Sequence, residues 1–487
     1  MAVLASKGTA SVTLAIGETL NVLAGGQGVA VLKGGASKGQ SVELGASVRK
    51  IGPFPFAMPI TINSQSGALT YYVGADSAAP HVEIAGEYDA ASGQTVLDDA
   101  SRAALSNSLG AAINWKRSNT KKIRASLAGA YSRDFRSRWI FTGDSSFAGT
   151  GADNNGLVNA RHRAWIKYLG DMLTASGYQA AENWVMSGGG TTTLPTLKTY
   201  DTRFDYGSTP TYNATYPGLG GQGGLSTGTD TANGWFKNTA RAPFDTSDLL
   251  YMRAAGTGSL KVEDQAAAVV NAAFSTTGSN SPQEATFTFA ANSTAAKFTT
   301  TGTNCVLYGI GTRNAATPGI EMINAGISGI DLAYFNVNPA TGNNWCGPRV
   351  AMPVLFRSDT KNVLFVGAGY NDINSFGKTL AQTQQMLRDY ITNVQAFANP
   401  PDIVLVLYTN LSAGPGSVGF DAFYDGMISV ATTEFDLPVI DQRAFMYSSA
   451  DAISYGIMAA DGLHNRAGGQ AMTAKLVNDA LMYARSL

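Results

Sequence analysis

Histidine and cysteine are the scarcest reactive side chains in this chain of 487 residues, with 3 of the first and 2 of the second. Cys305 and Cys346 are too few for a disulfide framework, have no CxxC partner and stand near no histidine. Neither a stapled scaffold nor a zinc site is expected, and both thiols are read as unpaired and buried. Charge is also thin: charged residues make up 14% of the chain, and 34 basic against 35 acidic side chains leave a net charge of −1. Without a field of one sign, no nucleic-acid partner is expected. Long apolar runs are missing too. The most apolar stretch, 403–408, has the length of a strand, so no membrane insertion is expected. At the N-terminus the first lysine is Lys7 and no basic residue precedes an apolar run, so no ordinary secretory signal is read and a soluble protein is expected.

What the chain does have is 44% hydrophobic residues and 55 glycines, the texture of a folded, loop-rich, β-leaning and multidomain protein. Residues 1–80 alternate apolar and polar positions in short pieces, such as Val12, Leu14 and Ile16, between glycine-rich turns. They read as a small all-β module. Residues 81–117, with the turn-like Ala91-Ser92-Gly93 and a run of small and polar residues, read as a linker. From 118 to 185 an α/β unit opens, with an apolar strand at 139–142 and a helical stripe through Leu157, Trp165, Tyr168, Leu169, Met172 and Leu173. A β-rich insert follows over 186–315. The α/β rhythm resumes over 316–487, with strand-like runs at 320–323, 363–366, 403–408 and 438–440. Between and after them, Phe376, Leu380, Leu387, Tyr390, Ile391, Val394 and Phe397, and then Met472, Leu476, Ala480 and Leu481, keep a helical period. Apolar strands alternating with amphipathic helices predict a parallel sheet covered on both faces.

A neutral-pH general base is most often histidine, so His81, His162 and His464 bound the search. His81 follows a proline in the linker, with no motif around it. His162, between Arg161 and Arg163, reads as part of a solvated helix face. His464 stands in Asp461-Gly462-Leu463-His464-Asn465, just before a helix. A carboxylate three residues earlier can reach the ring Nδ1 and leave Nε2 as the base, or the pair can simply cap the helix. Gly143-Asp144-Ser145 follows the strand at 139–142, at the edge where open α/β sheets place their ligand crevices. A serine there presents its hydroxyl outward, and nearby backbone N–H groups can face an oxyanion. Gly369-Tyr370-Asn371-Asp372 offers either an amide donor or a plain Asx turn. Asn324-Ala325-Gly326 offers either an unobstructed N–H or a turn. All four stretches sit at C-terminal strand edges or at a helix start, so one crevice would collect them.

These four stretches, in this order, resemble the blocks of the SGNH (GDSL-type) hydrolases. The resemblance covers 118–185 and 316–487. It implies an α/β three-layer fold with a flavodoxin-like parallel sheet, Ser145 as nucleophile, His464 as general base and acid, and Asp461 as the residue orienting the histidine. It further implies an oxyanion hole from the N–H groups of Ser145 and Gly326 and the side chain of Asn371, with no metal or organic cofactor. The first block reads Gly143-Asp144-Ser145-Ser146 where the family name has leucine last, and about 180 residues separate Ser145 from Gly326 where compact members have a few dozen. The insert resembles the β-sandwich (jelly-roll) modules of SGNH proteins from bacteriophage tails, and residues 1–80 resemble their attachment regions.

The expectation that follows is a carbohydrate O-acetylesterase of a phage tail, located on the virion and acting on acylated host polysaccharide by an acyl-enzyme mechanism. The implied assembly is a homo-oligomer such as a trimer, with phage virion proteins as partners of the N-terminal module. Two other readings stand beside it: a bacterial esterase or lipase on small acyl esters, and a non-catalytic receptor-binding adhesin that keeps the hydrolase fold. In the insert, Tyr200, Phe204, Tyr206, Tyr212, Tyr216 and Trp235 either stack on sugar rings or fill a core. The loop at 341–349, with Trp345 and Cys346, is expected near the crevice without an assigned role.

Overall fold

The computed structural model describes residues 111–152, 159–187, 198–207, 211–213, 224–226, 234–302, 304–336, 348–368, 370–407, 417–444 and 449–487, and ten strand segments N-terminal to these. They fall in two compact units, 1–101 and 102–485. The first contains two four-stranded antiparallel sheets. In one, Leu69–Ala75 and Glu18–Leu23 are central; in the other, Met58–Ser66 and Gln27–Leu32 are. The stretch read as a linker is not bare. Glu87–Asp89 pairs with Gln94–Val96 in a hairpin, and Ala112–Ile113 already belongs to the second unit. Strands of two or three residues are too short to show a period.

The second unit is built on a seven-stranded sheet. In chain order its strands are β1 (Ala112–Ile113), β2 (Ser137–Thr142), β3 (Ala180–Glu182), β4 (Ile320–Asn324), β5 (Lys361–Ala368), β6 (Asp402–Leu407) and β7 (Val439–Asp441). Across the sheet the order is β1-β7-β6-β5-β2-β4-β3, parallel throughout except for β1, which runs antiparallel to β7. Alternate residues of each central strand enter opposite cores. Trp139, Phe141, Val363, Phe365, Val404 and Val406 pack on one face, and Ile140, Leu364, Val366, Ile403 and Leu405 on the other. Burial on both faces explains why these strands read as continuous apolar runs. Each fully buried side chain of this size contributes about 1.5–3 kcal/mol.

The first face is covered by α1 (Lys121–Ser132), α2 (Trp165–Ala175) and α5 (Ala467–Ser486), the second by α3 (Leu380–Gln395) and α4 (Ser417–Ser429). The start of α3 is fixed by a capping box, in which Thr379 Oγ1 accepts from Gln382 N while the Gln382 side chain accepts from Thr379 N. Phe376, counted in its stripe from the sequence, lies before it and is exposed. Among the described residues no helix is long and apolar enough to cross a membrane.

Between β3 and β4 the chain makes a nine-stranded antiparallel sheet whose longest members, Trp235–Arg253 and Ser281–Thr300, pair with register shifts around Phe244. Its described strands join in one hydrogen-bonded sheet. One face carries its own core, with Phe204, Phe236, Leu249, Val262, Phe287 and Phe298. Trp184, Met186, Leu250, Met252 and Tyr308 turn the other way and belong to the same core as Ile140 and Ile323. Charge joins the two sheets as well. Arg138, wholly buried, bonds Glu284 at 2.8 Å and Glu321 at 3.3 Å, while Arg136 and Arg313 bond Asp248 at 2.5 and 2.9 Å.

Candidate active site

Ser145 follows β2 as the first residue of a single helical turn, Ser145–Ala148. Asp144 caps that turn through its side chain, which accepts from Ser146 N at 3.1 Å. The Ser145 side chain is nearly buried, and Thr150 N donates to its carbonyl at 2.9 Å. Below the turn, the Phe147 ring packs edge-on against Trp165.

His464 arrives from 319 positions away, on the turn before α5. Its carbonyl accepts from Ala459 N at 2.7 Å, and the neighbouring Asn465 bridges to Met458. The Ser145 Oγ to His464 Nε2 distance is 2.9 Å, and His464 Nδ1 is 2.7 Å from Asp461 Oδ2. Nδ1–H donating to the carboxylate leaves Nε2 to accept the serine proton. Asp461 Oδ1 accepts from the amides of Leu463 and His464 at 2.9 and 3.0 Å, so the turn itself holds the carboxylate in place. Partial burial alone would raise the Asp461 carboxyl. The ring and amide hydrogen bonds outweigh that effect and hold it below the usual carboxylate range. On the other side, Gly151 adopts φ +82°, and a Cβ there would come within 2.6 Å of His464 Cβ. Only glycine lets the chain pass this close behind the imidazole.

The two further donors named from the sequence lie on loops tied to each other. Asn371 is buried on the short helix Tyr370–Asn374, where it donates one Nδ2 hydrogen to Ile330 O at 2.9 Å and accepts from Ser375 Oγ at 3.1 Å. Asp372 Oδ1 accepts from Leu332 N at 3.1 Å, a second tie to the same loop. Gly326 differs from the expectation of an unobstructed N–H. Its amide donates to Asn324 Oδ1 at 3.1 Å, because the side chain of the last β4 residue folds back over the turn. The need for glycine there is steric: a Cβ would lie 2.5 Å from Ala148 N and 2.6 Å from Phe147 C, under the Ser145 turn.

Other expectations are corrected by burial. His162 is on a 3-10 turn, not a solvated helix face. It is half-buried, with Nε2 2.7 Å from Thr202 Oγ1, and burial lowers its pKa against the opposing charge of Asp201. Arg161, read as exposed, is 3% exposed and donates to Gly326 O at 3.0 Å. The sequence carried no local signal of this, since its partner is 165 positions away. Tyr200, Phe204 and Tyr206 are buried and do not present faces to sugar rings. Tyr200 instead donates its hydroxyl to Ala148 O, at the end of the Ser145 turn. Trp235 is partly exposed, with Lys237 and Lys297 over its ring. Cys305 is buried and accepts from Thr276 Oγ1 at 3.4 Å, and burial pushes its thiol pKa up. His81, Tyr216, Leu157, Trp345 and Cys346 lie outside the described residues, as does the side chain of Tyr212.

Tyr370, passed over in the sequence, is near enough to Asp461 and Asp144 that their charges add to burial in raising its pKa. A cavity of about 360 Å³ lies at the opposite, N-terminal end of the sheet, lined by Arg136, Glu182, Arg241, Arg313 and Glu321 among others. No residue of the Ser145–His464–Asp461 relay borders it.

No protein-family model matches this sequence, and no curated protein matches it. Solved structures do. A peptidoglycan O-acetylesterase is similar with a TM-score of 0.55 at 16% identity, over 76% of this chain and 97% of that one. The likeness shows a shared fold: a mixed α/β architecture with a parallel sheet, as an esterase has it. A carbohydrate esterase family 2 enzyme with a carbohydrate-binding domain from Corynascus thermopiles (Myceliophthora fergusii) matches at 10% identity over 55% of this chain and 94% of its own, with a TM-score of 0.27. A family two carbohydrate esterase from Clostridium thermocellum has the same score and identity over 56% and 96%. Scores at that level do not establish a shared fold.

Proposed function

We propose that this chain is a serine esterase of the SGNH type that removes O-acetyl groups from polysaccharide. The observation that carries the reading is the hydrogen-bonded series Ser145 Oγ, His464 Nε2 and Nδ1, Asp461 Oδ2, at 2.9 and 2.7 Å. Such a series supports removal of the serine proton as its oxygen attacks a carbonyl carbon. The proton passes to Nε2, and Asp461 stabilises the imidazolium through Nδ1–H. The tetrahedral oxyanion would take the Ser145 N–H, which as the first amide of its turn lacks an intrahelical acceptor, with the second Nδ2 hydrogen of Asn371 and the Gly326 N–H. For Gly326 the oxyanion would have to share or displace Asn324 Oδ1. One such donor contributes about 3 kcal/mol. The imidazolium then protonates the departing sugar oxygen, and water, deprotonated by the same nitrogen, releases acetate from Ser145.

The acetyl and glycan specificity draws support from the shared fold with a peptidoglycan O-acetylesterase. The same proposal includes a place on a bacteriophage tail, with the N-terminal module as the attachment part and a trimer as the assembly. That residues 1–101 form a compact unit containing none of the relay favours a separate task for them.

The experiment is acetate release from a panel of O-acetylated bacterial polysaccharides and from p-nitrophenyl acetate, by wild type, Ser145→Ala and His464→Ala. Activity lost in both variants, and greater on polysaccharide than on the aryl ester, is the expected result. No release from any substrate would overturn the esterase reading, and tight glycan binding by wild type and Ser145→Ala alike would replace it with an adhesin.

A further inference from the structure

We propose that Arg161 is a positioning residue of the reaction: by fixing the peptide that follows Gly326 it holds the turn whose Gly326 N–H would meet the oxyanion. This rests on the esterase reading of Ser145, His464 and Asp461. The Arg161 guanidinium is buried, and its Nη2 donates to Gly326 O at 3.0 Å. A carbonyl fixed in this way fixes the plane of the peptide that follows it, and Ile327 N, at the other end of that peptide, donates to Gly143 O at 2.9 Å. Ala325 N donates to Phe141 O at 2.9 Å. Gly326 is thus held by the chain on both sides, and its own carbonyl is held by Arg161.

A second contact places Arg161 in the site. Its Cζ lies 5.2 Å from the centre of the Tyr200 ring, and the Tyr200 hydroxyl donates to Ala148 O. Ala148 ends the Ser145 turn, and its amide is the atom that the missing Gly326 side chain leaves room for, at 2.5 Å. The contacts close on themselves: Gly326, Arg161, Tyr200, Ala148 and back to Gly326. One member carries the nucleophile's turn and another an oxyanion donor. Burying a guanidinium is expensive, and a planar donor fork with permanent charge is what distinguishes it from an apolar filler of equal volume.

The test compares Arg161→Met, Arg161→Lys and Tyr200→Phe with wild type on p-nitrophenyl acetate and on an acetylated polysaccharide, together with hydrogen–deuterium exchange of peptides covering 324–330. Arg161→Met is expected to lower kcat about 30–100-fold with KM within twofold. Arg161→Lys should recover about tenfold of that, and exchange at 324–330 should quicken in Arg161→Met more than in Arg161→Lys. A filler role would lower thermal stability without this split between kcat and KM and without rescue by lysine. Wild-type kcat and exchange in Arg161→Met would sink the proposal. If Arg161→Met does not fold, Arg161→Lys and Tyr200→Phe decide: kcat lowered at least threefold in both at constant KM supports it, and wild-type kcat in both overturns it. If wild type hydrolyses no ester, the esterase reading falls separately, and exchange at 324–330 alone settles whether Arg161 holds Gly326.

Discussion

The two ends of the central sheet handle charge in opposite ways. At the N-terminal ends of β2 and β4, Arg136, Arg138 and Arg313 are matched against Asp248, Glu284 and Glu321, and the Arg138 side chain is 0% exposed. At the C-terminal ends the same two strands lead into Ser145 and Gly326, and the carboxylate that completes the relay, Asp461, is 49% exposed. The first arrangement closes on the protein's own groups and so serves to hold two sheets together. The second ends on a hydroxyl whose proton has somewhere to go, which is what the proposed function asks of it. Burial marks where charge has become structural, and partial exposure marks where it remains available.

The sharpest way to break this contrast is Ser145→Ala, which should lower ester hydrolysis by about 10⁴-fold or more while leaving thermal stability near wild type, as read by acetate release and calorimetry. Arg138→Ala should do the reverse. Three buried carboxylates, Asp248, Glu284 and Glu321, each lose a partner, unfolding in urea shifts by about 3–5 kcal/mol, and kcat of the folded fraction stays near wild type. If both variants lost activity and stability together, the two ends would not be separable. Asp461→Asn keeps the shape of the turn but not the charge, and kcat should fall about 10²-fold, less than for a fully buried orienting carboxylate. Gly151→Ala forces a side chain into φ +82° against His464, with an expected cost of about 1–3 kcal/mol and a kcat about tenfold lower at unchanged KM. The smallest effect is on acid stability. The Asp461 carboxyl is held low, so its contribution is complete above the unfolded value and disappears only as pH falls through the lower folded value. Acid titration of wild type against Asp461→Asn should therefore diverge above that point and converge below it.

The apolar runs at 139–142, 320–323 and 363–366, and the described part of 403–408 up to Leu407, were legible as strands because both of their faces are buried, and a continuous apolar stretch needs no partner to be recognised. Ser145, His464 and Asp461 could be singled out because each stands beside an element boundary that the pattern reveals. What a pattern cannot carry is a polar partner far along the chain. Arg161 in an Arg-His-Arg run looks like a solvated surface, and only the fold brings it to Gly326 O. Likewise Asn324 turning its side chain onto Gly326 N depends on rotamer and backbone together. The tyrosines and phenylalanines of the insert could not be assigned to core or surface by type, since an aromatic ring suits either, and only the pairing of Phe204–Tyr206 with the long strand at 236–238 puts Phe204 and Tyr206 inside.

Arg138 also constrains how this chain could have changed its length. Two of the carboxylates around it, Asp248 and Glu284, come from the strands between β3 and β4, and only Glu321 comes from the parallel sheet. A lineage that lost those strands while keeping arginine at 138 would leave a guanidinium in the core with most of its counter-charge gone. Replacement at 138 would have to come before or with the deletion, and shorter relatives of this fold should carry an uncharged residue at the corresponding position.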